Sequence, residues 1–348
     1  MLTLYDSAMK RVFFCGLLLS AVINATAQQR PHYTQYILNN YILNPALSGI
    51  ENYTDIRVSG RDQWVGISGA PQTAYVSIHG PIGKKDLKTT ATSFQVPGTN
   101  PRGSSYWENY TASSSHHGAG FVAVNDRTGL ISRFSANASY AYHLGLSPRT
   151  NLAAGFAGGI SKISYDRSKA TPINGADPAL GNANTVFTKV RPDLSAGLWL
   201  YSADYFVGLS AQQVIPQKLD FIDDPAYNQN KLVPHVFATA GYRFLMNDDI
   251  NALPSVMLKY VPASVEKVQF DLNLKLQYQD LFWLGGSCRF RDGYAGMVGL
   301  NVGNTFNVGY SYDYTTSGLN NYNKGTHELI IGFLIGNRYG DTCPRNVW

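Results

Sequence analysis

Hydrophobic and polar residues alternate most regularly between Val268 and Tyr278. The apolar positions of this stretch are Val268, Phe270, Leu272, Leu274, Leu276 and Tyr278, and every residue between them is polar. A period of two is typical of a β-strand, because successive side chains of a strand point to opposite faces. A strand of about eleven residues, tilted by about 45°, crosses a hydrocarbon layer of about 25 Å. The stretch therefore predicts one membrane-spanning strand of an outer-membrane β-barrel.

The same alternation recurs along the chain and predicts about fourteen strands, an even number, as expected of a single-chain bacterial barrel. Turn residues such as Asp292-Gly293 separate them. The predicted strands are Tyr53–Ser59, Gln72–His79, Gly118–Asn125, Leu130–Leu144, Asn151–Ser164, Asp193–Tyr201, Asp204–Gln213, His235–Leu245, Ser255–Val261, Val268–Tyr278, Leu281–Phe290, Tyr294–Val302, Thr305–Tyr314 and Thr326–Ile335. The fold class is thus an all-β, antiparallel transmembrane barrel.

The lengths of the connections agree with such a barrel, in which outer loops are long and periplasmic turns are short. If the chain starts in the periplasm, the long segments 165–191, 214–234 and 315–325 all fall outside. One segment does not fit, because the long stretch 81–117 falls where a short periplasmic turn is due. Either one strand is miscounted there or the protein carries a periplasmic insert, and we expect the insert.

A pair of secreted β-sandwiches is the main alternative fold, since their strands alternate too. Sandwich strands usually run about five to seven residues, whereas those predicted here are nearer to ten. Glycines within the strands, such as Gly155, Gly158 and Gly159, also favour a curved sheet that closes on itself.

The composition supports a membrane barrel. Only 15% of the 348 residues are charged, whereas Tyr and Phe number 23 and 16, as lipid-facing strands with aromatic girdles require. Mean hydropathy is −0.16, which excludes a polytopic helical protein. The formal charge of +5 is thinly spread, so we expect no nucleic-acid partner.

The first residues read as a secretory signal. A basic pair, Lys10-Arg11, precedes the apolar run 12–23 and the sequence Ala25-Thr26-Ala27, which predicts a signal peptide over residues 1–27 with cleavage near Ala27. Met9 is an alternative start. We then expect an N-terminal segment over 28–50, periplasmic or plug-like, a barrel over 51–336 and a periplasmic tail over 337–348. Within 28–50 the spacing predicts a short helix that Thr34 caps and Pro45 ends.

The sequence offers little for catalysis or metal binding. The adjacent His116 and His117 point to opposite faces of an extended segment, which argues against a shared metal ion. His143, His235 and His327 fall in predicted strands, but no local signature of a hydrolase accompanies them. We therefore expect no catalytic residue, no cofactor and no metal site.

Two cysteines remain after signal cleavage, Cys288 and Cys343. Two are too few for a disulfide framework, and whether they pair with each other stays open.

The region 33–81 resembles the N-terminal region of the PorP/SprF family of the type IX secretion system. The residues that carry the resemblance are Gln35-Tyr36, Asn44-Pro45-Ala46, Gly49, Arg61, Gln63, Trp64 and Gly69-Ala70-Pro71, with His327-Glu328 and Cys343-Pro344 near the end. The chain departs from the family at Ser48, where alanine is more usual, and in the long segment 81–117.

The resemblance implies a non-enzymatic outer-membrane component that assists export or surface retention of secreted proteins such as adhesins. The implied partners are outer-membrane lipid, the secreted surface proteins, the translocon and its periplasmic and lipoprotein partners. The motif residues are then structural or partner-facing: Asn44, Pro45, Gly49, Arg61, Gln63, Trp64 and Pro71. From the residues alone, Asn44-Pro45 is a turn and Trp64 suits a membrane interface. The alternative function of the barrel is a channel for small solutes or apolar molecules.

Overall fold

The computed structural model describes residues 33–84, 110–166, 168, 186–215, 217–218, 231–262, 268–279, 281–303 and 305–337. The predicted signal peptide, most of the predicted C-terminal tail, Cys343 and the centre of the long segment 81–117 lie outside these residues. Among the described residues, no helix is long and apolar enough to cross a membrane.

Strands make up most of the described chain. In order they are β1 (Thr54–Asp62), β2 (Gln72–Ile82), β3 (His116–Thr128), β4 (Ile131–Ser147), β5 (Thr150–Asp166), β6 (Val186–Tyr201), β7 (Tyr205–Gln212), β8 (Gln217–Lys218), β9 (Lys231–Leu232), β10 (His235–Tyr242), β11 (Phe244–Leu245), β12 (Ile250–Tyr260), β13 (Val268–Tyr278), β14 (Phe282–Arg289), β15 (Gly293–Val302), β16 (Phe306–Thr315) and β17 (Thr326–Ile335).

Fourteen of these strands form one closed antiparallel barrel. Each long strand pairs with its neighbours in sequence, β1 pairs with β17, and β10 pairs with β12. The two-residue strands are accessory, since β11 extends the β10 side along β12 and β8 pairs only with β9. The predicted fold class is confirmed. Closure leaves no unpaired sheet edge, as a barrel in lipid requires.

The two faces of the barrel wall differ in polarity. On β13 the six apolar side chains between Val268 and Tyr278 point outwards and are 37–52% exposed. The polar side chains Asp271, Asn273, Lys275 and Gln277 point inwards and are buried. The outer face is therefore apolar and the lumen polar, the reverse of a globular core.

Two strands begin earlier than predicted, because each contains a proline. β6 begins at Val186 and β12 at Ile250, several residues before the predicted Asp193 and Ser255. Pro192 pairs opposite Ile160, and Pro254 pairs opposite Leu274. Proline lacks the N–H that a sheet ladder uses and so reads as a break in a strand, but both lie within these ladders.

We call the end of the barrel with Asp62 the loop end, and the end with Thr54 and Ile335 the turn end. Short connections such as 148–149 and 202–204 lie at the turn end, whereas β5 ends and β6 begins at the loop end. Strand β2 pairs directly with β3, so no strand was miscounted there, and β2 ends and β3 begins at the turn end.

Residues 33–53 lie inside the barrel, and we call this segment the plug. The short N-terminal helix takes the form of three 3-10 turns, Thr34–Ile37, Asn40–Ile42 and Pro45–Leu47. Asn39 and Asn44 separate the turns because both have non-helical backbone angles. Thr34 is the first residue of the first turn and not its cap.

The apolar core is formed where the plug meets inward-pointing aromatic residues. One cluster joins plug residues Tyr41, Ala46, Leu47 and Ile50 to Ala153, Trp199, Tyr201, Phe206 and Leu253. A second joins Tyr36, Ile37, Ile42 and Leu43 to Tyr75, Phe237, Met257, Trp283, Met297 and Ile330. The plug thus replaces the water that would otherwise fill a polar lumen.

The apolar outer face of the wall predicts that a charge placed there destabilises the barrel. Leu272 is 52% exposed near the middle of β13, so Leu272→Arg places a charge against acyl chains. We expect it to lower the free energy of unfolding by about 2–4 kcal/mol, measured by urea titration in lipid vesicles. Tyr322→Arg, at a side chain 75% exposed in the β16–β17 loop, is the control. Equal effects of the two changes would contradict a lipid-facing Leu272.

Candidate functional site

The site with the most buried polar contacts is the lumen, where the wall holds the plug. At the loop end, Glu328 Oε2 accepts hydrogen bonds from Arg61 Nη1 at 2.9 Å and from the backbone N–H of Thr34 at 2.8 Å. Arg61 Nη2 donates to Asp313 Oδ2 at 2.8 Å, and the Thr34 hydroxyl donates to the same oxygen. Arg61 and Glu328 are almost fully buried, so one guanidinium and two carboxylates fix the start of the plug.

Arg61 therefore acts through ion pairs. It bonds two acidic side chains, one on β16 and one on β17. Charge-assisted hydrogen bonds of this kind are stronger than neutral ones. Because the pairs are shielded from water, losing one partner costs far more than at a surface.

Polar side chains continue along the plug. Gln35 Nε2 donates to the carbonyl of Glu328 at 2.7 Å, and Asn39 Nδ2 donates to Ser77 Oγ at 2.9 Å. From the wall, Asn273 Nδ2 donates to the hydroxyl of Tyr36. The first turn and Asn39, which precedes the second turn, are thus attached to different strands of the barrel.

Asn44 attaches the start of the third turn to β6 and β7. Asn44 Oδ1 accepts from the N–H of Ala46 at 3.0 Å and so caps the turn, while Nδ2 donates to the carbonyl of Leu198 at 2.9 Å. Gly197 makes this approach possible, since a Cβ there would overlap Asn44 Oδ1. Pro45 takes the first position of the turn, where its missing N–H is not needed.

Three histidines surround the end of the plug. His143 Nε2 lies 2.8 Å from the carbonyl of Ser48, and His116 Nε2 lies 3.1 Å from the carbonyl of Gly49. A carbonyl oxygen only accepts, so Nε2 of His143 donates to Ser48. His79 Nδ1 accepts from the N–H of Gly49 at 3.3 Å. The rings of His116 and His143 stack with centroids 4.5 Å apart.

Gly49 is required at the centre of this group. Its φ is 75°, in the left-handed region, and a Cβ would lie 2.5 Å from Gly118 Cα. Any other residue there is both strained and obstructed.

The remaining motif residues lie in the β1–β2 loop. The N–H of Gln63 donates to the carbonyl of Pro71 at 2.9 Å, and the N–H of Trp64 donates to Thr326 Oγ1 at 3.1 Å. Trp64 lines a small cavity at the loop end together with Arg61 and Gln63. The motif therefore divides into lumen residues, namely Asn44, Pro45, Gly49 and Arg61, and loop residues, namely Gln63, Trp64 and Pro71.

The histidines considered for catalysis do not converge. His143 lies inside the barrel against the plug, His235 is buried at the start of β10, and His327 sits on β17 beside the hydroxyl of Tyr310. Within the described residues, no group of three or more His, Cys, Asp and Glu side chains is arranged to hold a metal ion. Cys288 forms no disulfide with any described residue, and Cys343 lies outside the described residues.

Sequence reasoning missed the partners of the motif residues. Asp313 lies in a stretch, Tyr310–Tyr314, whose alternate tyrosines point outwards, so the alternation alone places this carboxylate in the lumen. Nothing local showed that His79, His116 and His143 meet at Ser48 and Gly49, because they come from three different strands.

The geometry of Gly49 predicts a large effect of adding one methyl group. Gly49→Ala is expected to lower the free energy of unfolding by about 2–5 kcal/mol through backbone strain and overpacking, measured by urea titration in detergent micelles. Gly60→Ala, on β1 with open space at the Cβ position, is the matched control. A Gly49 variant as stable as the control would show that the plug does not seat as described.

The buried ion pairs of Arg61 give a second prediction. Arg61→Met leaves two buried carboxylates unpaired, so we expect a loss of about 3–5 kcal/mol and faster backbone hydrogen exchange at residues 34–37. Arg57→Met, which breaks a buried pair with Asp55 on the same strand, is the control and should leave exchange at 34–37 slow. Equal exchange in the two variants would mean that Arg61 does not hold the plug.

Solved outer-membrane barrels align with the chain at low identity. Omp33 of Acinetobacter baumannii shares 8% identity with a TM-score of 0.44, covering 83% of this chain and 100% of that chain. The translocator domain of the autotransporter NalP from Neisseria meningitidis shares 12% with a TM-score of 0.36, covering 94% and 96%. The CymD monoaromatic hydrocarbon channel shares 8% with a TM-score of 0.46, covering 85% and 91%. These similarities carry no information about function.

No curated protein matches the chain. The family model described as type IX secretion system membrane protein PorP/SprF matches residues 25–333, a range that includes the plug and nearly all of the barrel. The protein therefore belongs to the PorP/SprF family of type IX secretion system membrane proteins.

Proposed function

We propose that this outer-membrane barrel is a non-enzymatic accessory of type IX secretion that assists the export or surface retention of secreted proteins such as adhesins. Membership of the secretion family supports the first part. The role towards adhesins, the absence of a reaction and the absence of a cofactor are parts of the proposal.

The occupied lumen is the observation that carries the proposal. The plug is attached at the loop end by Arg61, Asp313 and Glu328 and near the turn end by His79, His116 and His143. Between these points its side chains pack into two apolar clusters with the wall. A lumen filled and fastened in this way favours a role as a docking component over the alternative, a channel for small solutes or apolar molecules.

The two groups of motif residues support two different roles. We assign a structural role to Asn44, Pro45, Gly49 and Arg61, because each contacts the plug or forms part of it. Gln63, Trp64 and Pro71 shape the β1–β2 loop at the loop end, where the N–H of Val65 also donates to the carbonyl of Gly325 at 2.9 Å. We assign this loop to contact with a partner.

The proposed partners follow from the same arrangement. The apolar outer face is assigned to outer-membrane lipid. The loop end is assigned to secreted surface proteins, and the turn end, with the connection 83–115, to the translocon and to periplasmic and lipoprotein components. The mature chain is expected to begin after cleavage near Ala27.

Deletion of the gene tests this function. We expect the deletion strain to lose a small set of large surface proteins, and to regain them when the wild-type gene is supplied in trans, because an accessory serves particular cargo. Quantitative mass spectrometry of proteins shaved from the cell surface measures the loss. An unchanged set of surface proteins would contradict the proposal.

Liposome swelling separates secretion from transport. Vesicles that contain the purified wild-type protein are expected to swell in arabinose no faster than protein-free vesicles, with an open porin as the positive control. Size-dependent swelling by the wild-type protein would favour the channel instead.

A further inference from the structure

The wall of the barrel is not level at the loop end. Strands β6 and β7 are joined at the turn end, but β6 has 16 residues and β7 has 8. Their pairing runs from Tyr201 and Phe206 to Ser195 and Gln212, where the closed ring ends on this side. Beyond Leu194, among the strands that the structure describes, β6 pairs with β5 alone. At about 3.3 Å per residue, β6 projects beyond β7 by about 25 Å along its length.

A strained residue turns β7 away from β6 at this level. Gln213 has a φ of 55°, in the left-handed region that residues other than glycine rarely adopt. The N–H of Val214 still donates to the carbonyl of Leu194 at 3.0 Å, and the chain then enters β8, which pairs with β9. Strained backbone of this kind clusters at functional sites. Here its effect is to leave one side of β6 open.

The backbone of β6 presents hydrogen-bonding groups on this open side. Alternate residues of a strand direct their N–H and C=O groups to opposite sides. The carbonyl of Leu194 points towards β7, so the same groups of Val186, Thr188 and Val190 point to that side too, and we call them the open edge. Within the described part of the chain these groups have no backbone partner. Unpaired backbone groups are costly in lipid, so the open edge lies beyond the hydrocarbon layer.

The side chains of the open edge favour pairing with another strand. Proline is one device that protects a natural sheet edge, but Pro192 lies nearer to the ring, and the three residues of the open edge keep their N–H groups. Val186 and Val190 are 60% and 58% exposed and share the outer face of β6 with Thr188. All three are β-branched, a type enriched in strands. The open edge therefore suits the addition of a strand, in which main-chain hydrogen bonds give affinity and alternate side chains give specificity.

The direction of β6 argues against a second copy of this chain as the added strand. β6 runs from the loop end to the turn end, and it does so in every copy inserted the same way into one membrane. Two such edges can therefore meet only in parallel, which is the less stable arrangement. An extended segment of another protein has no such constraint and can pair antiparallel.

The two faces of β6 indicate the chemistry of that segment. On the outer face, Val186 and Val190 favour β-branched residues in the opposite positions of a neighbouring strand. On the inner face, Lys189 lies opposite Ile163 of β5, and its charge favours an acidic residue on the other side. We propose that the open edge of β6 binds an extended strand of a secreted protein in which β-branched residues alternate with acidic ones. The choice of a secreted protein rests on the proposed function, which assigns the loop end to such proteins.

Binding of a synthetic peptide to the full-length mature protein in detergent micelles tests the proposal. The probe is a short fluorescein-labelled peptide in which valine alternates with glutamate, and fluorescence anisotropy measures its binding. We expect saturable binding by the wild-type protein. A second peptide has proline in place of each valine and so lacks the N–H groups that would face β6. It should not bind.

Thr188→Pro removes one N–H of the open edge. This N–H points away from β5, and Pro192 on the same side shows that the strand accepts proline there. We expect the valine-glutamate peptide to bind about tenfold more weakly. Thr188→Val is the matched control, because it loses the same hydroxyl bond to Ser164 but keeps the N–H, and it should bind as the wild type does.

Lys189→Glu tests the inner face and keeps the test valid if Thr188→Pro does not fold. It should weaken binding of the valine-glutamate peptide and strengthen binding of a peptide in which valine alternates with lysine. Equal affinities of both peptides for the wild type and for this variant would contradict the assigned chemistry.

Several other results would overturn the proposal. They are the absence of binding by the wild type, equal binding by Thr188→Pro and Thr188→Val, or equal binding of the proline-containing peptide. A dimer seen by light scattering that Thr188→Pro dissociates, without peptide binding, would assign the open edge to a second copy. Peptide binding does not depend on secretion, so its failure is distinct from an unchanged set of surface proteins in the deletion strain.

Discussion

The inward side chains of this barrel are polar, and the rest of the structure depends on giving them partners inside the lumen. A wide barrel can leave such groups to water. Here the chain supplies the partners itself, because plug residues 33–53 bond the wall from the loop end to the turn end. Arg61 illustrates the principle: its charge is stable in a nearly dry site because Asp313 and Glu328 flank it and the backbone of Thr34 shares one of the carboxylates.

Close contact between plug and wall requires small residues at particular points. Gly49 meets Gly118 at the turn end, and Gly197 gives room to Asn44. At these points plug atoms occupy the space of side chains that the wall lacks, so the position of the plug is fixed sterically as well as by hydrogen bonds. A segment held in this way behaves as part of the barrel and not as a loosely inserted lid.

Apolar packing lies on more than one side of the plug. Trp283 and Ile330 pack against it from β14 and β17, and Trp199 and Phe206 pack against it from β6 and β7. This occupied lumen is the basis of the proposed docking role.

The sequence by itself determined the strands and their orientation. In β13 and β16 the alternation predicts which side chains face outwards and which face the lumen, because a pleated strand has a period of two. The starts of β6 and β12 were predicted less accurately, because Pro192 and Pro254 interrupt the alternating pattern. A rule that treats proline as a strand break takes no account of pairing with the neighbouring strands.

Only the tertiary structure decided what the lumen contains and which residues meet there. The short helix could be recognised from its spacing, but its position inside the barrel depends on contacts with strands far away in sequence. Arg61 and Glu328 are separated by 267 positions, and the three histidines around Ser48 and Gly49 come from three strands. Alternation fixes the face on which a side chain lies, whereas barrel closure and register fix its neighbours, and no local pattern encodes the register between distant strands.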